Sequence, residues 1–92
     1  MITYRTAPAA AEDDAAGRWA AAFPTGPIVH LSGAAPLILD VLADCSRPLT
    51  VTETCAELRE LVDDVPEDLE EVVCAFLEQL AELGLLTRQE GP

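Results

Sequence analysis

The spacing of the apolar residues changes at Ser32, and this change divides the chain into a strand-forming part and a helix-forming part. Before Ser32, the segment "PIVHL" (residues 27–31) has the β-branched composition of a short strand. After it, apolar residues recur three and four positions apart as far as Leu83, which is the period of amphipathic helices. A chain of 92 residues has room for one domain. We therefore expect a single α+β domain over residues 1–92.

Two or three short strands are predicted in the N-terminal third. Residues 2–5 are the first candidate. The segments "RWAAAFP" (18–24) and "PIVHL" (27–31) flank the turn signal Thr25-Gly26, so we predict that they form a hairpin. Residues 6–16 are rich in alanine, which is depleted in strands, and carry an acidic cluster. They are interpreted as a loop.

Three helices are predicted after the hairpin. The first is capped by Ser32 or begins nearer Ala35, with Pro36 in its first turn. The second begins at the capping box "TVTE", in which Thr50 and Glu53 satisfy each other's backbone N–H groups. Both helices carry an apolar stripe on one face.

The third helix has the strongest pattern. Asp64 is its predicted cap, with Pro66 in the first turn. Gly84 is predicted to end it in a left-handed conformation, with Leu85 against Leu80 as in a Schellman motif. Residues 85–87 are predicted to add a short strand, and residues 89–92 are expected to fray. The apolar stripe of this helix is wider than one neighbour requires, and it comprises Leu69, Val72, Val73, Phe76, Leu77, Leu80 and Leu83.

The chain is strongly acidic, with seventeen Asp and Glu residues against five arginines and a net charge of −12. Such a surface repels nucleic-acid phosphates and anionic membranes. It fits a basic partner, or one bound through backbone and apolar contacts. Solubility alone also explains the charge. No basic and apolar leader or membrane-length segment is present in the sequence, so we expect a cytoplasmic protein.

Residues for catalysis or metal binding are sparse. The three cysteines (Cys45, Cys55 and Cys74) and the single histidine, His30, lack the spacing of a four-ligand zinc site. The chain offers no phosphate-binding glycine loop, and its adjacent carboxylates are typical of solvated surfaces. We predict no cofactor, no metal and no enzymatic activity.

The remaining signal is geometric. A short hairpin leaves a strand edge unpaired, and an unpaired edge beside an apolar helix face is the receptor half of β-strand addition. The alternative, which periodicity alone favours, is that the wide stripe of the third helix packs under the sheet.

Three segments carry a resemblance to a known family. They are "GRWAAAFPTGPIVHLSGAAPLILDVL", "LTVTETCAEL" and "VPEDLEEVVCAFLEQLAELGLL". Over residues 17–88 the chain resembles the PqqD-like domain, the recognition element of ribosomal-peptide (RiPP) biosynthesis, and "AFLEQLAELGLL" is the most specific piece. The resemblance implies a winged-helix-like fold with a three-stranded antiparallel sheet followed by three helices.

The resemblance also implies a function, namely binding the leader of a precursor peptide as an added strand in the cleft against the third helix. It implies these peptide-binding residues: Ile28, Val29, His30, Leu31, Leu69, Val72, Val73, Phe76 and Leu80. The sequence departs from the family at Ser32, where asparagine is common, at Pro36, and at Val72, where an acid is common. Val72 therefore suggests an apolar contact with the leader.

The expected protein is a non-catalytic adaptor that presents the precursor to a leader protease or another modifying enzyme. Its acidity, its alanine content and "PLTVTE" favour a lasso-peptide pathway. The alternatives are a PqqD-type chaperone of quinone-cofactor synthesis, a winged-helix nucleic-acid binder and a structural subunit of a larger complex. The acids of the third helix argue against the nucleic-acid binder.

Overall fold

The computed structural model describes residues 1–24 and 26–91. The strands along them are β1 (Ile2–Thr6), β2 (Ala9–Asp14), β3 (Gly17–Ala22), β4 (Ile28–Leu31) and β5 (Leu86–Glu90), and the helices are α1 (Ala35–Asp44), α2 (Val51–Leu61) and α3 (Leu69–Glu82). One antiparallel sheet has the order β2-β3-β4, and a second pairs β1 with β5. The predicted α+β fold, a three-stranded antiparallel sheet followed by three helices, is confirmed.

Strand β2 corrects the predicted loop over residues 6–16, which is wrong. Three alanines of β2, residues 9–11, lie opposite three alanines of β3, residues 20–22. Pairing with a neighbouring strand therefore outweighs the low strand propensity of alanine. The turn is closed by the Ala16 N–H, which donates to Oδ1 of Asp14 at 2.9 Å.

The two ends of the described chain pair with each other in the second sheet. Ile2 lies opposite Glu90, and the Gly91 N–H donates to the Met1 carbonyl at 2.7 Å. The terminal strand is thus longer than the predicted residues 85–87. The predicted fraying is wrong for residues 89–91, because β1 satisfies the backbone of β5, and Pro92 lies outside the described residues.

The helix starts differ in how far they follow local signals. Helix α1 begins at Ala35 with Pro36 in its first turn, and its cap residue is Ala34. The alternative of Ser32 as the cap is wrong, because its carbonyl rather than its hydroxyl accepts from the Ala35 N–H. The capping box of α2 is confirmed: the Glu53 N–H donates to Oγ1 of Thr50 at 3.1 Å, and the Thr50 N–H donates to Oε1 of Glu53 at 3.0 Å.

Helix α3 begins at Leu69, so the predicted start at Asp64 and Pro66 is wrong. Val65 packs partly against the core, and Glu67 and Asp68 form a turn directly before the helix. The predicted end at Gly84 is confirmed.

At that end, Gly84 has φ +81°, and the Leu85 N–H donates to the Leu80 carbonyl at 3.0 Å. The Gly84 N–H donates to Ala81, which completes the Schellman motif.

The core lies between the three helices and the facing sides of both sheets. Its most deeply buried large side chains are Tyr4, Ile38, Leu49, Val73, Leu77 and Leu80. In residues 1–24 and 26–91, no helix is both long enough and apolar enough to cross a membrane.

Candidate functional site

Strand β4 is an edge of the three-stranded sheet. Among the strands that the structure describes, β3 is its only neighbour. In an antiparallel pair only alternate residues exchange both backbone bonds with the partner strand, so half of the N–H and C=O groups of β4 point away from β3. Pro27 precedes the strand and removes no donor from it. No second strand of the described residues pairs with these outward backbone groups of Ile28–Leu31, which we call the β4 edge.

The side chains of the β4 edge alternate between two environments. Ile28 is 75% exposed and His30 is exposed, whereas Val29 packs partly against the core and Leu31 is buried. Val29 and Leu31 thus lie on the inner face of the sheet, towards the helices. Ile28 and His30 lie on the opposite, outer face.

Helix α3 has an apolar flank beside its buried stripe. Leu69, Val73, Leu77 and Leu80 are the buried residues of this helix. Helix α2 lies on one side of that stripe, where Oγ1 of Thr52 is 3.5 Å from Oε1 of Glu70. At 100° per residue, the positions on the other side of the stripe are those of Val72, Phe76 and Leu83. We call these three residues the α3 flank, and all three are half-buried.

The C-terminal end of α3 lies against the sheet. A Cβ placed on Gly84 would lie 3.1 Å from Cβ of Ala22, the last residue of β3. The preceding β3 residue, Ala21, lies opposite Ile28 at the start of β4. Phe76 and Leu83 pack against the core while keeping part of their surface exposed. The α3 flank is thus apolar surface that α2 does not cover.

The nine residues predicted to bind peptide fall into two groups. Leu31, Leu69, Val73 and Leu80 are buried in the core. The other five, Ile28, Val29, His30, Val72 and Phe76, keep accessible surface on the β4 edge and the α3 flank.

Sequence reasoning missed a polar cluster on the outer face that joins all three strands. The Trp19 indole N–H donates to Oδ2 of Asp14 at 2.9 Å, and Nε2 of His30 lies 3.3 Å from Oδ1 of the same carboxylate. The Trp19 and His30 rings meet edge to face, with their centroids 4.7 Å apart. The cluster was hidden because Asp14 belongs to the segment predicted as a loop.

This cluster has an electrostatic consequence for its carboxylate. The hydrogen bond with His30 lowers the pKa of Asp14 below its ordinary value of 3.8, and the backbone N–H groups of Ala16 and Gly17 lower it further. The carboxylate therefore stays ionised, and accepts hydrogen bonds from both rings, to lower pH than an isolated aspartate.

On the inner face, Arg18 ties the sheet to α1. Its Nε lies 2.6 Å from Oδ1 of Asp13, and its NH1 lies 2.9 Å from Oδ1 of Asp40. These carboxylates raise the pKa of the guanidinium. Arg18 therefore has a structural role, and its charge is satisfied within the chain.

The cysteines give no metal site in residues 1–24 and 26–91, where no three His, Cys, Asp or Glu side chains are grouped as metal ligands. Cys55 is buried, and burial raises the pKa of its thiol.

A protein-family model described as coenzyme PQQ synthesis protein D (PqqD) matches residues 20–86. The chain belongs to the PqqD family. The matched range includes the whole β4 edge and all of α3, and it leaves β1 and β2 outside. PqqD proteins are non-catalytic, bind precursor peptides in ribosomal-peptide biosynthesis and act with modifying enzymes. No curated protein and no solved structure shows significant similarity to the chain.

Proposed function

We propose that this PqqD-family chain binds the leader segment of a ribosomally made precursor peptide as an added strand on the β4 edge. It then presents the precursor to a leader protease or another modifying enzyme and performs no catalysis itself. The observation that carries the proposal is the β4 edge, with which no second strand among the described residues pairs, in a chain whose family binds precursor peptides.

Affinity and selectivity would come from different parts of the site. The backbone groups of Ile28–Leu31 bond any extended chain, so they supply affinity. Side chains of the leader that point to the inner face meet Val29 and the α3 flank, where Val72 and Phe76 offer apolar surface. These residues therefore favour leaders with apolar side chains at alternate positions.

Charge acts at longer range. A net charge of −12 speeds the encounter with a basic peptide and opposes binding to nucleic acid. The same charge, the alanine content and "PLTVTE" favour a lasso-peptide pathway as the setting. The description of the matching family model favours a second setting, a peptide chaperone of PQQ synthesis.

Backbone N-methylation tests strand addition. A phage-displayed random library of peptides of about ten residues, twice the length of a typical strand, supplies ligands when panned on the purified protein. Each selected peptide is then synthesised in two forms, which are N-methylated at odd or at even positions. The form whose methyl groups face β4 should bind at least about tenfold more weakly, since each lost backbone bond costs about 1 kcal/mol.

Equal affinity of both methylated forms and the parent peptide would contradict strand addition.

The biosynthetic pathway in which the chain acts is tested by the neighbouring genes. A short precursor reading frame beside a leader protease and a cyclase supports the lasso pathway, whereas PQQ synthesis genes support the chaperone.

A further inference from the structure

We infer that the outer face of the three-stranded sheet is a second recognition surface for the bound peptide, which reads an apolar side chain beside Ile28 and a basic one beside His30. This inference rests on the proposed strand addition at β4. The second surface would contact the peptide side chains that point away from the α3 flank.

The geometry follows from strand pairing. Ile28 and His30 are two residues apart on the edge strand, and both point to the outer face. A strand added along β4 places alternate side chains on that same face, opposite these two residues, with Cβ atoms roughly 4.5–5.5 Å apart. The intervening side chains point inward, to Val29 and the α3 flank. The outer face of the sheet thus contacts one set of alternate peptide residues, and Val29 and the α3 flank contact the other set.

Ile28 provides the apolar contact. It is 75% exposed, although isoleucine is among the residue types most often buried. Behind it, away from the free edge, lies a shallow apolar cavity of about 170 Å³ that is floored by Ala10 and Ala21 and bounded by Trp19. The alanines are too short to cover Ile28. Its outward side is covered only when another strand brings an apolar side chain beside it.

His30 provides a contact of different chemistry. Asp14 and Trp19 hold its ring, so its position on the edge is fixed. Among the described residues of the outer face, Glu12 and Asp14 are acidic and none is an arginine, since Arg18 bonds to Asp40 on the inner face. A basic side chain opposite His30 would be attracted by the Asp14 carboxylate, which lies behind the His30 ring, and by the half-exposed Trp19 ring.

The negative charge of the chain also favours a basic peptide over a second copy of the chain as the ligand of this face. A second copy of the chain would set two faces with the same carboxylates against each other, and each copy carries a net charge of −12. Repulsion disfavours that arrangement. A basic peptide gains from the same charges, and the outer face is continuous with the edge on which the peptide is proposed to lie.

The test compares peptide motifs selected by variants of the full chain. The random library is panned on the wild type, on Ile28→Thr, on Asp14→Asn and on Phe76→Ala. Ile28→Thr keeps a β-branched residue on the strand, and Asp14→Asn keeps a hydrogen-bond acceptor for Trp19. Circular dichroism and urea unfolding confirm that each protein is folded before panning, and Glu12→Gln serves as a second charge variant on the same face.

The wild type should select peptides with an apolar residue and an Arg or Lys two positions apart. Ile28→Thr should relax only the apolar preference, Asp14→Asn and Glu12→Gln should relax only the basic one, and Phe76→Ala should change positions of the opposite parity. The inference would be overturned if the outer-face variants selected the same motif as the wild type. It would also be overturned if these variants lost selection at the same peptide positions that Phe76→Ala affects. A concentration-dependent dimer that is abolished by Ile28→Thr would also overturn it.

Failure of this inference is distinguishable from failure of the proposed function. Selected peptides that remain sensitive to N-methylation but show no outer-face motif contradict only the second recognition surface. Peptides that bind equally well after N-methylation contradict strand addition itself.

Discussion

The indole N–H of Trp19 donates to the Asp14 carboxylate at 2.9 Å, across the pairing of β2 with β3. Trp19 is directly opposite Glu12 in the register, so the Asp14 side chain reaches diagonally along the outer face. That diagonal bond brings the carboxylate next to His30 on the far strand, and it ties an otherwise alanine-rich strand to the edge strand.

The first prediction concerns the pH dependence of this bond. The pKa of Asp14 is lower in the folded chain than its ordinary 3.8, so ionisation of Asp14 stabilises the fold above that pH, and this contribution is lost as the pH falls through the folded-state pKa. Trp19 is the only tryptophan and reports the change by fluorescence. Its emission should shift only below pH 3.8, and Asp14→Asn should abolish the shift.

Circular dichroism over the same range separates this local change from acid unfolding. A fluorescence midpoint at or above pH 3.8 in the folded protein would contradict the predicted direction.

The second prediction concerns Gly17, which has φ +154°. A Cβ at this position would overlap the carbonyl oxygen of Leu31, the last residue of β4. Gly17→Ala should therefore lower the free energy of unfolding by more than about 2 kcal/mol, from overlap and backbone strain together. Urea unfolding measures the loss.

Gly33→Ala is the matched control. Gly33 also has a positive φ, +64°, but a Cβ there would meet no atom within 4 Å. Its cost should be only the backbone strain, about 1 kcal/mol. Equal losses in the two variants would show that close approach to Leu31 does not constrain Gly17.

The third prediction concerns the capping box of α2. Thr50→Ala removes the hydroxyl that accepts from the Glu53 N–H and should destabilise the protein by about 1 kcal/mol. Thr52→Ala, within the same helix and exposed, should change the stability by less than about 0.5 kcal/mol. A similar loss of stability in both variants would mean that the hydrogen bonds of the capping box do not stabilise the helix.

The fourth prediction separates the α3 flank from the core. Val72→Asp should leave the stability within about 1 kcal/mol and weaken binding of the selected peptides at least about tenfold, because a carboxylate replaces apolar contact surface. Isothermal titration calorimetry and urea unfolding measure the two quantities. If Val72→Asp unfolds the protein, then Val72 belongs to the core.

Leu77→Ala provides the contrast on the same helix. Leu77 is fully buried, so its truncation should cost about 2–5 kcal/mol of stability. Peptide affinity measured on the fraction that remains folded should change little.

Local signals with a complete side-chain mechanism predicted the fold well. The capping box at Thr50 and the left-handed Gly84 needed no information from distant residues, and both are present. The pairing of β3 with β4 was predicted from composition and from the turn signal Thr25-Gly26, of which Thr25 lies outside the described residues. The start of α3 at Leu69 did not follow from the local pattern at Asp64, and Val65, between the two, packs partly against the core.

Features that depend on pairing between distant segments could not be predicted in this way. Alanine is a poor strand former, so nothing local identified β2 as a strand, and its partner β3 supplies the hydrogen bonds. The outer-face cluster was therefore not predicted either, since Asp14 contacts His30 only when the three strands are aligned. Periodicity also could not divide the wide stripe of α3 into buried residues and the half-buried α3 flank, which depends on where α2 packs.

The pairing of β1 with β5 has a mechanical consequence. Tension applied at Met1 and Gly91 loads the bonds of this small sheet one after another, as in unzipping, because Ile2 and Glu90 are the first pair at its open end. Peeling should then halt at Tyr4, whose side chain is buried and whose backbone exchanges two bonds with Leu49. Extension of the molecule by force should therefore begin with a short step at low force, in which β1 separates from β5 as far as Tyr4. The β4 edge should stay intact until the core unfolds.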